Sequence, residues 1–223
     1  MHIALTDRLS CPRCGPEFGL ILLAEEVRAQ RVLAGELGCS NCRERYPVRR
    51  GFADFRIPPE PSLSPDDEAG SRNPPDPEES VRMGALLGVT EGPGTILVCG
   101  EAAWHAGNLA RLIGGIEVVG MEGDLAAGEE SEGVSRIAAE GRLPFFTGTF
   151  LGVLSSQDVE AIPLEEMARV LVPGGHLVML DPDSDAIHGT TALGLQVLLE
   201  EEGVLVARRN RAEPTPLITL RGL

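Results

Sequence analysis

The chain has 223 residues, 43% of them hydrophobic, enough for one fair-sized core plus a small module. Nineteen basic against 34 acidic residues give a net charge of −15, which argues against a broad nucleic-acid-binding face while leaving a local basic patch open. No apolar run approaches the ~18 residues of a membrane span, and "MHIALTDRLSCPRC" lacks the basic, apolar and cleavage elements of an export signal, so the expectation is an unexported, cytoplasmic protein. Every basic residue is Arg, which reads as coding bias rather than a functional choice of guanidinium.

In chain order, residues 1–57 hold four of the five cysteines and balance nine Arg against seven acids. Residues 58–77, rich in Pro, Ser and acids, read as a linker that cannot bury enough apolar surface to order itself. From residue 78 to 223 strands and helices alternate. The pattern predicts a helix near 78–88, a strand at "TILVCG", a helix around 105–113, a strand at "IEVVGM" and a glycine-interrupted stretch over 123–133. Strands near 134–138 and 150–155 follow, then helix "PLEEMARVL" ending at "PGG", strand "HLVMLDP", helix "TTALGLQVLLEEEG" and strands "VLVARRN" and "PLITLRG". Such alternation implies a parallel sheet covered on both faces, with the closing pair as an antiparallel addition.

Cys11-Pro-Arg-Cys14 and Cys39-Ser-Asn-Cys42 are two CxxC pairs separated by 24 residues. Four thiolates close a tetrahedral zinc shell with no open position for water, so such a site is structural. A pair of disulfides is the alternative, disfavoured in a reducing compartment. The stretch "RVLAGELGCSNCRERYPVRRGFADF" resembles the small zinc-ribbon activator proteins that partner tRNA, rRNA and release-factor methyltransferases, through Gly35, Glu36, Leu37, Tyr46, Pro47, Val48 and Gly51. That resemblance covers most of residues 8–56 and implies a domain that docks on a methyltransferase. Arg43, Arg45, Arg49 and Arg50 surround the second knuckle, either as a patch for RNA or an acidic partner, or as a solvated rim.

The segment "GRLPFFTGTFLGVLSSQDVEAIPLEEMARVLVPGGHLVMLDP" resembles class I S-adenosylmethionine-dependent methyltransferases of the quinone and small-molecule branch. Leu143, Pro144, Phe145, Gly148, Phe150, Glu166, Met167, Arg169, Val170, Leu171, Pro173, Gly174 and Gly175 carry it. The resemblance implies an α/β, Rossmann-like fold with a mostly parallel seven-stranded sheet, preceded by the zinc ribbon. It also implies S-adenosylmethionine as cofactor, with Gly100, Glu101, Glu122, Glu140 and Leu143 as binding positions. Glu122 ends the second strand, where an acid binds ribose hydroxyls, or else it starts the next helix.

Several positions depart from the family pattern. Ala102 and Trp104 replace the second and third glycines of the cofactor turn, and Val98 stands where an acid is common. Trp104 would place an indole against or inside the cofactor volume, or stack on adenine. Ala139 falls where an acid meets the adenine amino group, and Leu151 replaces an Asp. "SSQDVE" lacks the Asn/Asp-Pro-Pro-aromatic motif of enzymes that methylate planar amino groups. His105 reads as an ordinary exposed residue, His176 as structural and Cys99 as core. No catalytic residue is identifiable. The favoured expectation is a methyltransferase-like protein with a degraded cofactor site, acting as a binding or assembly subunit with a protein partner. The alternative is an active enzyme with a divergent cofactor loop, methylating a small molecule, a protein or RNA.

Overall fold

The computed structural model describes residues 1–59, 74–156 and 162–211. In the N-terminal region the strands are β1 (Ser10–Cys11), β2 (Gly15–Arg28), β3 (Arg31–Cys39), β4 (Arg45–Arg49) and β5 (Phe52–Asp54). They pair as successive antiparallel neighbours. Two hairpins turn on left-handed residue pairs, Ala29–Gln30 (φ 46° and 62°) and Arg50–Gly51 (φ 51° and 77°). Paired left-handed residues match the right-handed twist of the flanking strands.

Strands and helices alternate through the remainder, as the sequence predicts up to about residue 190. Helix α1 (Pro77–Leu87) starts with Pro77 behind an Asp76 cap, whose carboxylate accepts from Glu78 N at 3.0 Å, and ends on left-handed Gly88. There follow β6 (Gly94–Cys99), a 3₁₀ turn over Gly100–His105, α2 (Ala106–Leu112), β7 (Ile116–Met121), a 3₁₀ turn over Gly123–Ala127, β8 (Val134–Ala138) and β9 (Phe150–Ser155). The chain continues through α3 (Leu164–Val170), β10 (Leu171–Leu180), α4 (Ser184–Ala192), β11 (Gln196–Glu201) and β12 (Val204–Arg208).

All twelve strands join one mixed sheet in the order β1-β2-β3-β4-β5-β8-β7-β6-β9-β10-β12-β11. The expected seven-stranded sheet is therefore part of a larger one: from β8 to β11 every strand runs parallel except β12. The extension arises because β5 adds in parallel to β8, with Phe52, Ala53 and Asp54 opposite Arg136, Ile137 and Ala138. Strand order reverses between β6 and β9, creating a crevice at their carboxyl ends where doubly wound sheets bind ligands.

The two compositionally distinct regions also share a core. On one sheet face, Leu5, Leu9, Tyr46 and Phe55 pack in the same cluster as Leu97, Val119, Phe145 and Leu177, and α3 and α4 cover its far end. On the other, α1 and α2 bury Met83, Leu87, Ala106 and Leu109 against Ile96, Val98, Val118 and Val178. Backbone bonds cross the seam from Ser10 N to Pro144 O (3.0 Å) and from Phe146 N to Arg8 O (3.1 Å). Side chains tie it further. Arg31 donates to Glu117 (2.7 Å), Glu130 (2.5 Å) and Val134 O, while Arg136 donates to Arg50 O (2.5 Å), Leu125 O (2.9 Å) and Gly128 O.

Two expectations are corrected. Residues 190–203 are not one helix: α4 ends at Ala192, Gly194 takes φ 73°, and residues 196–201 form β11. The Glu202–Gly203 pair, at φ 49° and 74°, then folds β11 back onto β12 as a third tight hairpin. Strand β10 begins at Leu171 rather than His176, carrying the Pro-Gly-Gly turn as an irregularity in its pairing with β9. The strand expected at "PLITLRG" and most of the linker lie outside the described residues.

Candidate functional site

The four knuckle cysteines converge. Cys11, Cys14, Cys39 and Cys42 place their sulfurs within 4.8 Å of one another, with Cys11 Sγ 3.7 Å from Cys42 Sγ and Cys39 Sγ 3.8 Å from Cys14 Sγ. Four sulfurs each about 2.3 Å from a central zinc ion stand about 3.8 Å apart, so the arrangement fits that ion. The surroundings suit thiolates: Asn41 Nδ2 donates to Cys14 Sγ at 3.3 Å, and the Tyr46 hydroxyl lies 3.4 Å from Cys11 Sγ. Burial, followed by the neighbouring Cys11, pushes the Tyr46 phenol well above its ordinary range and keeps it a neutral donor. With all four sulfurs directed inward, the cluster offers a closed shell suited to folding rather than chemistry.

The second candidate lies at the carboxyl ends of β6, β7, β8 and β9. Gly100 follows β6 with φ 68° and is buried, a left-handed conformation that suits glycine. The next residues turn inward: Ala102 and Ala103 are buried, and Trp104 packs against the cluster of Phe52, Ala103, Leu125 and Ala138. Phe52 comes from β5, so the indole is held partly by the N-terminal region. Ser156 bridges the point of strand-order reversal. Its hydroxyl donates to Cys99 O at 3.3 Å and accepts from Ala102 N at 3.4 Å.

The other sequence-selected positions divide between structural and exposed settings. Glu122 immediately follows β7, and one carboxylate oxygen accepts from Gly123 N at 2.7 Å and so caps the following 3₁₀ turn. Leu143 is fully buried, and its backbone N–H donates to Glu166 at 2.9 Å. Glu101 and Glu140 are exposed. Leu151 packs on the α1/α2 side, and Ala139 is partly buried against the opposite core.

Sequence reasoning missed Asp54 and Arg56. They form a bidentate pair at the end of β5 (2.9 and 2.8 Å), placed at the carboxyl edge by the β5–β8 pairing. An Arg56 Nη1 lies 3.0 Å from where a Cβ on Gly123 would stand, so this guanidinium fills the space left by that glycine. Nothing in the local sequence signals this, since it depends on a strand pairing across more than eighty residues.

His105 is not exposed, as the sequence suggested. It is buried against Ser80 Oγ (2.8 Å from Nδ1), and Asn108 Nδ2 donates to the same oxygen at 2.9 Å, so the group latches α2 to α1. Ser80 is fully buried and closed to substrate. His176 Nδ1 meets Leu87 O at 2.9 Å at the end of α1, a structural role. Burial, helped by the Glu122 charge, pushes the Cys99 thiol far above its ordinary range, so it stays protonated in the core. Arg43, Arg45, Arg49 and Arg50 are all exposed, but the structure does not gather them: Arg45 stands beside the second knuckle opposite Gly38 and pairs with Glu36 at 2.8 Å, whereas Arg49 lies opposite Ala34 and Arg50 in the β4–β5 turn, away from the cysteines.

Comparison with known proteins places this geometry in a fold. No family model matches the chain, and no curated protein matches it. The [4+2]-cyclase SpnF aligns over 69% of this chain and 85% of its own, at 14% identity and a TM-score of 0.51. The MycE methyltransferase of the mycinamycin pathway, solved with Mg and S-adenosylhomocysteine, aligns over 68% of this chain and 54% of its own at 10% identity and a TM-score of 0.47. An S-adenosylmethionine-dependent O-methyltransferase from Thermotoga maritima aligns over 81% and 79% at 13% identity and a TM-score of 0.45. The αβ region has the methyltransferase-like α/β fold. Among the described residues no helix is long and apolar enough to cross a membrane.

Proposed function

We propose that this chain is a methyltransferase-fold binding or assembly subunit, carrying a structural zinc ribbon, whose cofactor crevice has been converted to structural use. One observation carries the reading. Ala102, at a glycine position of the turn, is buried and tied through its N–H to Ser156, which also bonds Cys99 O, so the crevice is laced across its mouth. Trp104 packed, partly buried, against Phe52 and Leu125, and Glu122 engaged as a cap, support the same reading. Fold alone does not argue for methyl transfer, since SpnF is named a cyclase.

In this proposal Cys11, Cys14, Cys39 and Cys42 hold zinc, which contributes folding free energy on the order of 10 kcal/mol. The ribbon and the αβ region are domains in composition, docked within one chain through β5. A protein partner is the expected ligand of the assembly.

A second reading, an active methyltransferase with a divergent loop acting on a small molecule, protein or RNA, is favoured by Gly100 and Glu122. The first retains its left-handed turn and the second its place at the end of β7. Calorimetric titration of the zinc-loaded protein with S-adenosylmethionine and S-adenosylhomocysteine separates the two. No saturable heat is the expected result. Micromolar binding of either compound would overturn the first reading in favour of the second.

A further inference from the structure

A cavity of about 340 Å³ opens at the carboxyl ends of β9 and β10, between the starts of α3 and α4. We propose that it binds a small organic cation, a primary ammonium on an apolar body. Its walls include the buried side chains of Ile162, Met167 and Met179, with Ser155 and Ser156 adding hydroxyls at the β9 end. Flexible thioethers adapt to varied aliphatic shapes and favour contact with soft, polarisable ligands. The mouth is acidic: Asp181, Asp185 and Glu165 line it, and none of the described lining residues is basic. An anion or a zwitterion with an exposed carboxylate meets repulsion there, while an ammonium finds acceptors from two different elements.

The mouth is also shaped. Asp181 holds a left-handed backbone at φ 50°, uncommon for a residue with a side chain, and its N–H donates to Gly203 O at 2.6 Å. The β11–β12 turn therefore fixes the residue that begins the acidic rim. Neighbouring Asp183 is engaged as the cap of α4, accepting from Ala186 N at 2.7 Å, which fixes the backbone presenting Asp185. At 340 Å³ the cavity stands at the small end of ligand sites, suited to a compact metabolite rather than a nucleotide. Ser156, which ties Ala102 in the neighbouring crevice, also lines this cavity, whereas the cofactor positions Gly100, Glu101, Glu122, Glu140 and Leu143 do not.

The test is calorimetric titration of the full zinc-loaded chain with hexylammonium, hexanol and hexanoate. Saturable binding of hexylammonium alone is expected. The double change Asp181→Asn, Asp185→Asn is expected to weaken it about tenfold, with the melting temperature recorded to establish folding. Met179→Trp, which fills the interior and leaves every acid in place, is expected to abolish it. Equal affinity for all three probes, no saturable binding, or hexylammonium binding that survives Met179→Trp would overturn the proposal. The last result would leave only attraction to an exposed acidic surface.

Discussion

The seam where β5 meets β8 and the crevice between the carboxyl ends of β6 and β9 are built from opposite materials. At the seam charged groups are buried and densely paired, with only Arg136 Nε left without a partner: Arg31, Glu117, Glu130 and Arg136 link the two regions. At the crevice small residues and one hydroxyl close the space by backbone contact, through Gly100, Ala102 and Ser156. Buried ionic contacts are costly unless well paired, so the dense pairing at the seam is what lets these charges sit between the two regions. The crevice shows the reverse, a place suited by topology to a ligand and bordered by small residues and backbone hydrogen bonds.

The largest expected effect tests whether the junction makes the molecule one cooperative unit. With zinc held by the four cysteines as proposed, Cys39→Ser or treatment with a chelator is expected to remove a contribution on the order of 10 kcal/mol. Because the ribbon shares its core with the αβ region, thermal unfolding should shift as a single transition. Two separate transitions in calorimetry would show the junction to be weak. Arg136→Met is next. It strips donors from Leu125 O, Gly128 O and Arg50 O, and should cost about 3 kcal/mol by denaturant unfolding. A loss near zero would mean that methionine packing replaces those bonds.

On the crevice side, Trp104→Ala should cost about 2 kcal/mol, less than a fully buried aromatic because the indole is only partly covered. The paired change Ala102→Gly, Trp104→Gly tests function instead. Measurable S-adenosylhomocysteine binding by this variant, absent from the parent, would show that these two side chains are what closes the site.

A smaller, pH-dependent effect belongs to Glu130. Burial alone would raise its carboxyl, but hydrogen bonds and charge from the Met1 α-amino group and Arg31 hold it below its ordinary value of 4.5. A depressed carboxyl stabilises the folded state above its unfolded pKa and loses that contribution as pH falls through the folded value. Compared with Glu130→Gln, the parent should be more stable by about 1 kcal/mol at pH 7, with the gap closing below about pH 4.5. A gap unchanged in acid would remove the charge explanation. Ser156→Ala, costing about 1 kcal/mol or less, is the smallest change and isolates the lacing of the crevice.

Much of this organisation was legible along the chain. The strands at 116–121, 134–138 and 150–155 stand where their apolar runs predicted, because each is buried on both faces and carries a local signal. The CxxC spacing likewise announced a four-sulfur cluster. Strand β11 was misread because "LGLQVLLEEEG" satisfies a helical pattern as well as a strand. The left-handed Glu202–Gly203 turn and pairing to β12 decide the outcome. His105 was misjudged for a similar reason, since its burial depends on α1 lying across α2.

What the sequence determined by itself was most of the alternation of elements and the cysteine cluster. These are local properties, set by periodicity, spacing and residue type. Only the tertiary structure decided that the ribbon's last strand enters the αβ sheet, that Trp104 turns toward Phe52, and that Arg56 lies over Gly123. Each of these joins residues far apart in the chain. Their energies come from contacts that exist only after the sheet has closed the distance, so no local pattern encodes them.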